Sequence, residues 1–151
     1  MEFEFAEDQE YFEKVLCSKS QSISHFMHLF DFRPVSEKRR EFSNIRHKIR
    51  KELISKFGEE CMLNLSMCDI SSGIVIDHLI PLSTNQLNKS LRKLAPVKGK
   101  KVATQSFGSN HIDNLVIACA SCNNHKKHRI LESKMLARII DANIKNSRKL
   151  I

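Results

Sequence analysis

The stretch from Asp77 to Lys126 constrains the fold of this chain more than any other, because it carries four kinds of chemically specialised residue. It opens with Asp77-His78-Leu-Ile-Pro81, continues through Asn114, and closes with Cys119-Ala-Ser-Cys122-Asn123-Asn-His-Lys126. A carboxylate, an imidazole, a carboxamide and a metal-type cysteine pair therefore lie within one short length of chain. Together these groups are what a small metal-dependent phosphodiesterase requires.

The bulk properties point to an anionic partner. The chain has 151 residues, a net charge of +8, a pI near 9.4 and 41% hydrophobic residues, which suits one domain with a packed core. Acidic residues crowd positions 1–13, so the positive charge is concentrated after residue 33. Such a balance favours nucleic acid as the partner and does not choose between DNA and RNA. No apolar run approaches about 18 residues, and the first residues lack the basic and apolar regions of a signal peptide, so we expect a cytoplasmic protein without a membrane segment.

Apolar periodicity predicts the helices. Two short helices are expected within residues 6–31, and Pro34 should end that region. A longer helix should follow from an N-cap at Ser36 to Gly58, with an apolar stripe at three- and four-residue spacing. Strands are expected at 73–77 and 115–118, separated by a long polar loop at 83–111. Helix is expected from Asn123 onward, with a broad apolar face.

The motifs resemble those of the HNH nuclease family, which has the ββα-metal fold. Asp77-His78-Leu-Ile-Pro81, Asn114-Leu115 and Cys119-x-x-Cys122-Asn123-x-x-Lys126 carry the resemblance, which covers roughly residues 57–131. It implies an α+β protein in which a ββα core at about 57–142 belongs to a nuclease domain of residues 36–151, preceded by a helical N-terminal annex of residues 1–35.

The resemblance also implies a function and a set of roles. The activity is hydrolysis of phosphodiester bonds in DNA, and double-strand cleavage, as in a restriction-like enzyme, would take a homodimer. His78 would be the general base. Asp77 and Asn123 would hold a catalytic Mg²⁺ or Mn²⁺, and Asn114 would orient the histidine. Asn123 could instead be an N-cap, and His125 is the other candidate ligand.

Four cysteines predict a structural Zn²⁺. Cys119 and Cys122 form a Cys-x-x-Cys pair, which is half of a tetrahedral site. Cys61 and Cys68 are spaced more loosely than the second pair of many family members, and Asn64 stands where a partner of Cys61 is expected. A disulfide framework is not expected, because the chain has 5 Cys and no export signal. The alternative is that Cys61 or Cys68 is a buried free thiol.

Basic residues on the long helix, in the 83–111 loop and after Asn123 are expected to contact nucleic acid. They are Arg39, Arg46, Arg50, Lys100, Lys101, Lys126 and Lys127. The alternative for each is a solvated surface charge. Two competing functions remain open: a zinc-stabilised nucleic-acid-binding module without catalysis, and an RNA-directed nuclease of the same type.

Overall fold

The structure is a computed structural model that describes residues 2–149, and it describes side chains up to residue 145. The last two residues of the predicted nuclease domain therefore lie outside the described residues. Within that range the helices are α1 (Ala6–Leu16), α2 (Val35–Phe57), α3 (Gln86–Ser90), α4 (Ala120–Lys126) and α5 (Ser133–Lys149), and the strands are β1 (Ile74–His78) and β2 (Leu115–Cys119). Short 3-10 helices cover Ile23–Leu29, Ile70–Ser72 and Ile112–Asn114. None of the helices in residues 2–149 has the length and apolar character needed to cross a membrane.

The two strands form an antiparallel sheet on which α4 packs. Ile74 lies opposite Cys119, and His78 lies opposite Leu115. β2 continues into α4 without a loop, and both strands contact that helix. The prediction of a mixed arrangement of helices and strands is confirmed. Each strand extends one residue further than the sequence indicates, so that His78 is the last residue of β1.

Residues 2–35 share a hydrophobic core with β2 and with α5. Phe12 and Leu29 are fully buried, and they belong to the same cluster as Leu79 and Leu136. A second cluster lies between α2 and the sheet, where Leu53 packs with Leu115 and Ile117 of β2. The predicted apolar stripe of α2 faces this cluster, with Phe42, Ile49 and Phe57 packed against it. The N-terminal helices are therefore part of the core that supports the end of β1.

Helix boundaries differ from the predictions at two places. α2 begins at Val35 with Pro34 at the N-cap, so Ser36 lies inside the helix. The helix expected from Asn123 onward is two helices, because Lys127 has a left-handed backbone (φ 51°) that ends α4. The N-cap of α4 is Cys119, whose Sγ accepts a hydrogen bond from the backbone N–H of Cys122. The N-cap alternative for Asn123 is wrong, because the helix starts immediately after the strand.

The 83–111 segment is attached firmly to the core. It contains α3, and Thr84 pairs with Gln105 across it. The Arg92 guanidinium donates to the carboxylate of Asp8 on α1 at 2.9 Å and to the Gln105 side chain at 2.7 Å. Gly108 approaches the chain after β1 so closely that a Cβ there would lie 1.8 Å from the carbonyl oxygen of Ile80. These contacts hold the segment against the end of β1.

Candidate active site and metal centre

A cleft of about 550 Å³ opens where β1 ends. Asp77 and His78 line it from the strand, and Asn123 lines it from the middle of α4. The three residues predicted as base and ion ligands therefore border one cavity. His125 is exposed and does not line this cleft, whereas His128, which the sequence analysis did not select, does.

The His78 ring is held in a slot between α2 and the loop before β2. Its Nε2 lies 2.9 Å from the Oδ1 of Asn110, and the Phe42 ring meets it edge-on with centroids 4.7 Å apart. Burial, followed by the positive charges of Lys126 and Lys38, lowers the pKa of His78 to about 4, against the raising effect of the hydrogen bond to Asn110. The imidazole is therefore neutral at physiological pH, which is the form that can accept a proton.

Asn110 decides which nitrogen of His78 carries the hydrogen. The Asn110 Nδ2 donates to the backbone carbonyl of Lys38 at 2.9 Å, so its Oδ1 is the atom that faces His78. The histidine must then donate through Nε2–H, which leaves the lone pair of Nδ1 as the basic site. Neither Asn110 nor the buried Lys38 was selected from the sequence. No local pattern marks them, because their partners lie far away in the chain.

The Asp77 carboxylate faces α4 and is paired there with Lys126. The Lys126 Nζ lies 3.1 Å from Oδ2 and donates to the carbonyl of His78 at 2.9 Å. The Oδ2 of Asp77 is buried, and its contact with the Lys126 ammonium does not have the geometry of a hydrogen bond. Burial raises the pKa of Asp77, although the nearby Lys126 charge opposes this. The Lys126 side chain is only 1% exposed, so it is not on the surface where a phosphate contact was expected.

Asp77 partly fits the predicted role of ion ligand. A buried carboxylate oxygen without a hydrogen bond is a hard donor of the kind that Mg²⁺ and Mn²⁺ prefer. The carboxamide of Asn123 would supply a second hard oxygen from α4. The ammonium of Lys126 already contacts the carboxylate, so a divalent ion would have to share or displace this contact.

Asn114 connects the segment after β1 to the segment before β2. Its Oδ1 accepts from the backbone N–H of Ile80 at 2.8 Å, and its Nδ2 donates to the carbonyls of Ile80 and Ser109. The side chain is fully buried. These hydrogen bonds are all with backbone, so the predicted effect of Asn114 on His78 would pass through the path of the chain and not through contact with the ring.

Three of the predicted nucleic-acid contacts meet at the cleft. Arg39, Lys101 and Lys127 are exposed residues that come from α2, the 83–111 segment and the end of α4, and all of them line it. An adjoining cleft shares these three and adds Lys89 and Arg129. Asp77 is the single acidic residue among the described residues that line the two clefts. The combined surface is strongly positive and suits a chain of phosphates.

The other predicted contacts lie elsewhere. Arg46 and Arg50 line a different cleft, next to Ile74 and Ile76. The Arg50 guanidinium donates to the backbone carbonyl of Ile74 at 3.0 Å, so it supports β1. Lys100 is exposed but lines none of these clefts.

The four predicted zinc ligands come together at the N-terminal end of α4. The Sγ atoms of Cys61, Cys68, Cys119 and Cys122 all lie within 4.8 Å of one another, and this cluster could hold a metal ion. The Sγ atoms of Cys68 and Cys119 are 3.9 Å apart. Tetrahedral coordination with Zn–S bonds of about 2.3 Å places sulfurs about 3.8 Å apart, so the donor set fits zinc. The alternative of an isolated buried thiol at Cys61 or Cys68 disagrees with this clustering.

Backbone amides support the cluster. The N–H groups of Asp69 and Cys122 point at the Sγ of Cys119 at 3.4 and 3.3 Å. Burial raises the pKa of the Cys119 thiol, but these amides, together with hydrogen bonds from the Cys122 and Cys61 thiols, outweigh burial and lower the pKa to about 6. Asn64 has a left-handed backbone (φ 46°), and its N–H points at the Sγ of Cys61 at 3.5 Å. The turn after Cys61 thus presents that sulfur to the cluster without a second cysteine at position 64.

Comparisons with protein-family models, with curated proteins and with solved structures found no match to this chain.

Proposed function

We propose that this protein is a metal-dependent endonuclease of the HNH type that hydrolyses phosphodiester bonds in DNA. The observation that carries the proposal is the cleft at the end of β1, which Asp77, His78 and Asn123 line together with Arg39 and Lys127. A proton acceptor, two hard oxygen donors and positive charge are the components that phosphodiester hydrolysis needs. The four-cysteine cluster beside α4 supports the further inference of a structural Zn²⁺.

In the proposed reaction, the Nδ1 of His78 takes a proton from a water molecule while the water oxygen forms a bond to phosphorus. The bond from phosphorus to the 3′ oxygen breaks, and that oxygen takes a proton from solvent. Asn110 keeps the Nε2–H of His78 occupied, so Nδ1 stays the basic nitrogen. A divalent ion held by Asp77 and Asn123 supplies, when bound, a Lewis acid that stabilises the charge on the phosphate and the departing oxygen.

The positive residues around the cleft serve substrate binding. Arg39, Lys101 and Lys127 line the same cleft as His78, so they would neutralise phosphates of a strand bound there. Such contacts carry no sequence information, so a recognition sequence would have to be read by other groups. Cleavage of both strands by one such site would take two protomers.

The test is incubation of the purified protein with supercoiled plasmid and, separately, with RNA, each with Mg²⁺, Mn²⁺ or a chelator. We expect plasmid nicking or linearisation that needs the divalent ion and is lost in His78→Ala. His47→Ala is the matched control, because His47 is an exposed histidine on α2 outside the cleft at the end of β1. It should cleave like the unaltered protein.

Three other outcomes would overturn all or part of the proposal. Equal cleavage by the His78→Ala protein would mean that the activity comes from a contaminant or from another site. Plasmid binding without cleavage under every ion condition would favour a zinc-stabilised binding module. Cleavage of RNA alone would keep the chemistry but replace DNA as the substrate.

A further inference from the structure

A second group of metal-type side chains lies outside the cleft and outside the cysteine cluster. His28 is at the end of the Ile23–Leu29 turn, and His111 and Asp113 lie in the segment that precedes β2. One ligand atom from each of the three lies within 4.8 Å of the others. The nuclease proposal uses none of these residues.

The distances among these three side chains match metal ligation. The Nε2 of His28 is 2.9 Å from the Oδ2 of Asp113, and the Nδ1 of His111 is 3.8 Å from the same oxygen. The two imidazole rings meet at 75° with centroids 4.7 Å apart. In tetrahedral coordination with bonds of about 2.0–2.1 Å, ligand atoms are about 3.3 Å apart. The observed separations lie on either side of that value.

We propose that His28, His111 and Asp113 form a second metal site, which takes a borderline divalent ion of the Zn²⁺ class. Two imidazoles and one carboxylate favour zinc or cobalt over Mg²⁺, which prefers oxygen ligands alone. The three side chains are 32%, 45% and 10% exposed, so the ion can enter from solvent and keep a water molecule as its fourth ligand.

Neighbouring hydrogen bonds hold the backbones of the three ligands. The Oγ of Ser109 donates to the carbonyl of His28 at 2.7 Å, and the Nδ2 of Asn143 donates to the carbonyl of Asp113 at 3.1 Å. Two existing contacts have to give way, because the Nε2 of His28 shares a hydrogen bond with the Oδ2 of Asp113 at 2.9 Å and the Nδ1 of His111 accepts from the backbone N–H of Asp113 at 3.1 Å. The exposed ring of His111 can exchange that hydrogen bond for the ion.

An ion at this place would join two distant parts of the chain. His28 belongs to the N-terminal region, whereas His111 and Asp113 lie between Asn110 and Asn114 in the segment before β2. Binding to the folded state alone would raise stability by mass action. The site would therefore clamp the N-terminal region onto the loop that holds His78, whether or not the protein is a nuclease.

The experiment compares total zinc per chain in the unaltered protein and in a His28→Gln, His111→Ala double variant, after equilibrium dialysis at the same micromolar free zinc. Glutamine at position 28 can still donate to Asp113, so it preserves the hydrogen bond but is a poor zinc ligand. We expect the unaltered protein to hold one equivalent more than the double variant. Zinc should also raise the melting temperature of the unaltered protein by more than that of the variant, which keeps the cysteine cluster as its zinc site.

Controls separate loss of this site from loss of the fold. His47→Ala should bind as much zinc as the unaltered protein, because His47 is exposed on α2 and away from the three ligands. Titration of accessible thiols reports whether the cysteine cluster is intact in each variant. Equal zinc content in the unaltered protein and a folded double variant would overturn the proposal, as would a zinc-induced rise in melting temperature of equal size in both.

Discussion

Replacing Lys38 by methionine should lower the free energy of unfolding by about 2–4 kcal/mol. Lys38 is fully buried on α2, and its Nζ donates to the backbone carbonyls of Gly108 at 2.6 Å, Asp31 at 2.7 Å and Leu82 at 3.3 Å. Burial lowers the pKa of Lys38 to about 8, so at pH 7 the ammonium keeps all three of its donors. One side chain thus joins α2 to the segment before it and to both ends of the 83–111 region.

The size of this destabilisation follows from the two shortest hydrogen bonds of Lys38, those to the carbonyls of Gly108 and Asp31. A hydrogen bond from a charged donor contributes about 1.5–3 kcal/mol, so losing both costs about 3–6 kcal/mol. Methionine fills nearly the same volume and removes the cost of desolvating an ammonium, which offsets part of that loss. About 2–4 kcal/mol remains, a large fraction of the 5–15 kcal/mol that stabilises a typical domain.

Urea denaturation at pH 7 measures the change in the free energy of unfolding. A shift of the transition midpoint reports it, provided that the dependence of that free energy on urea concentration is unchanged. Lys48→Met is the matched control, because Lys48 is an exposed lysine on the same helix, and it should change stability by less than about 0.5 kcal/mol. A loss below about 1 kcal/mol in Lys38→Met, with the slope unchanged, would refute the reasoning that these carbonyls depend on the ammonium.

Three further substitutions test other parts of the structure. Gly108→Ala should cost more than about 3 kcal/mol in thermal unfolding, because the new Cβ would lie 1.8 Å from the oxygen of Ile80, a backbone atom and not the end of a flexible side chain. Asn110→Ala should cost about 2–4 kcal/mol in urea, because it leaves the Nε2–H of His78 without its acceptor, and it should reduce plasmid cleavage. Cys61→Ser should release bound zinc and lower the melting temperature, as metal analysis and a thermal melt would report.

Matched controls exist for each of the three. Gly99→Ala adds a Cβ that meets nothing within 4 Å, so only the strain of its positive φ remains. Asn44→Ala removes an exposed asparagine from α2, and Cys17→Ser removes a cysteine outside the cluster. A control that matches its test variant in stability or zinc content would show that the stated contact is not the cause.

Local patterns in the sequence were sufficient for the secondary structure around the site. The β-branched run before Asp77 and the apolar run after Asn114 predicted both strands within one residue at either end. The spacing of Phe42, Ile49 and Leu53 predicted the buried face of α2. These features depend on residues close in the chain, whose periodicity is set by backbone geometry alone. The cysteine cluster was also predicted, because few residue types bind metals and four of the cysteines in this chain occur as two pairs.

Packing between distant segments decided the rest. Lys38 and Lys126 look like surface lysines in the sequence, yet both are buried because carbonyl or carboxylate partners 7 to 70 residues away surround their ammonium groups. Asn110 touches His78 only because the 83–111 segment folds back on β1. The sequence by itself determined which chemical groups are present and which elements carry them. The tertiary structure decided which charges face the cleft and which are neutralised inside, because desolvation and hydrogen bonding depend on neighbours that chain order does not reveal.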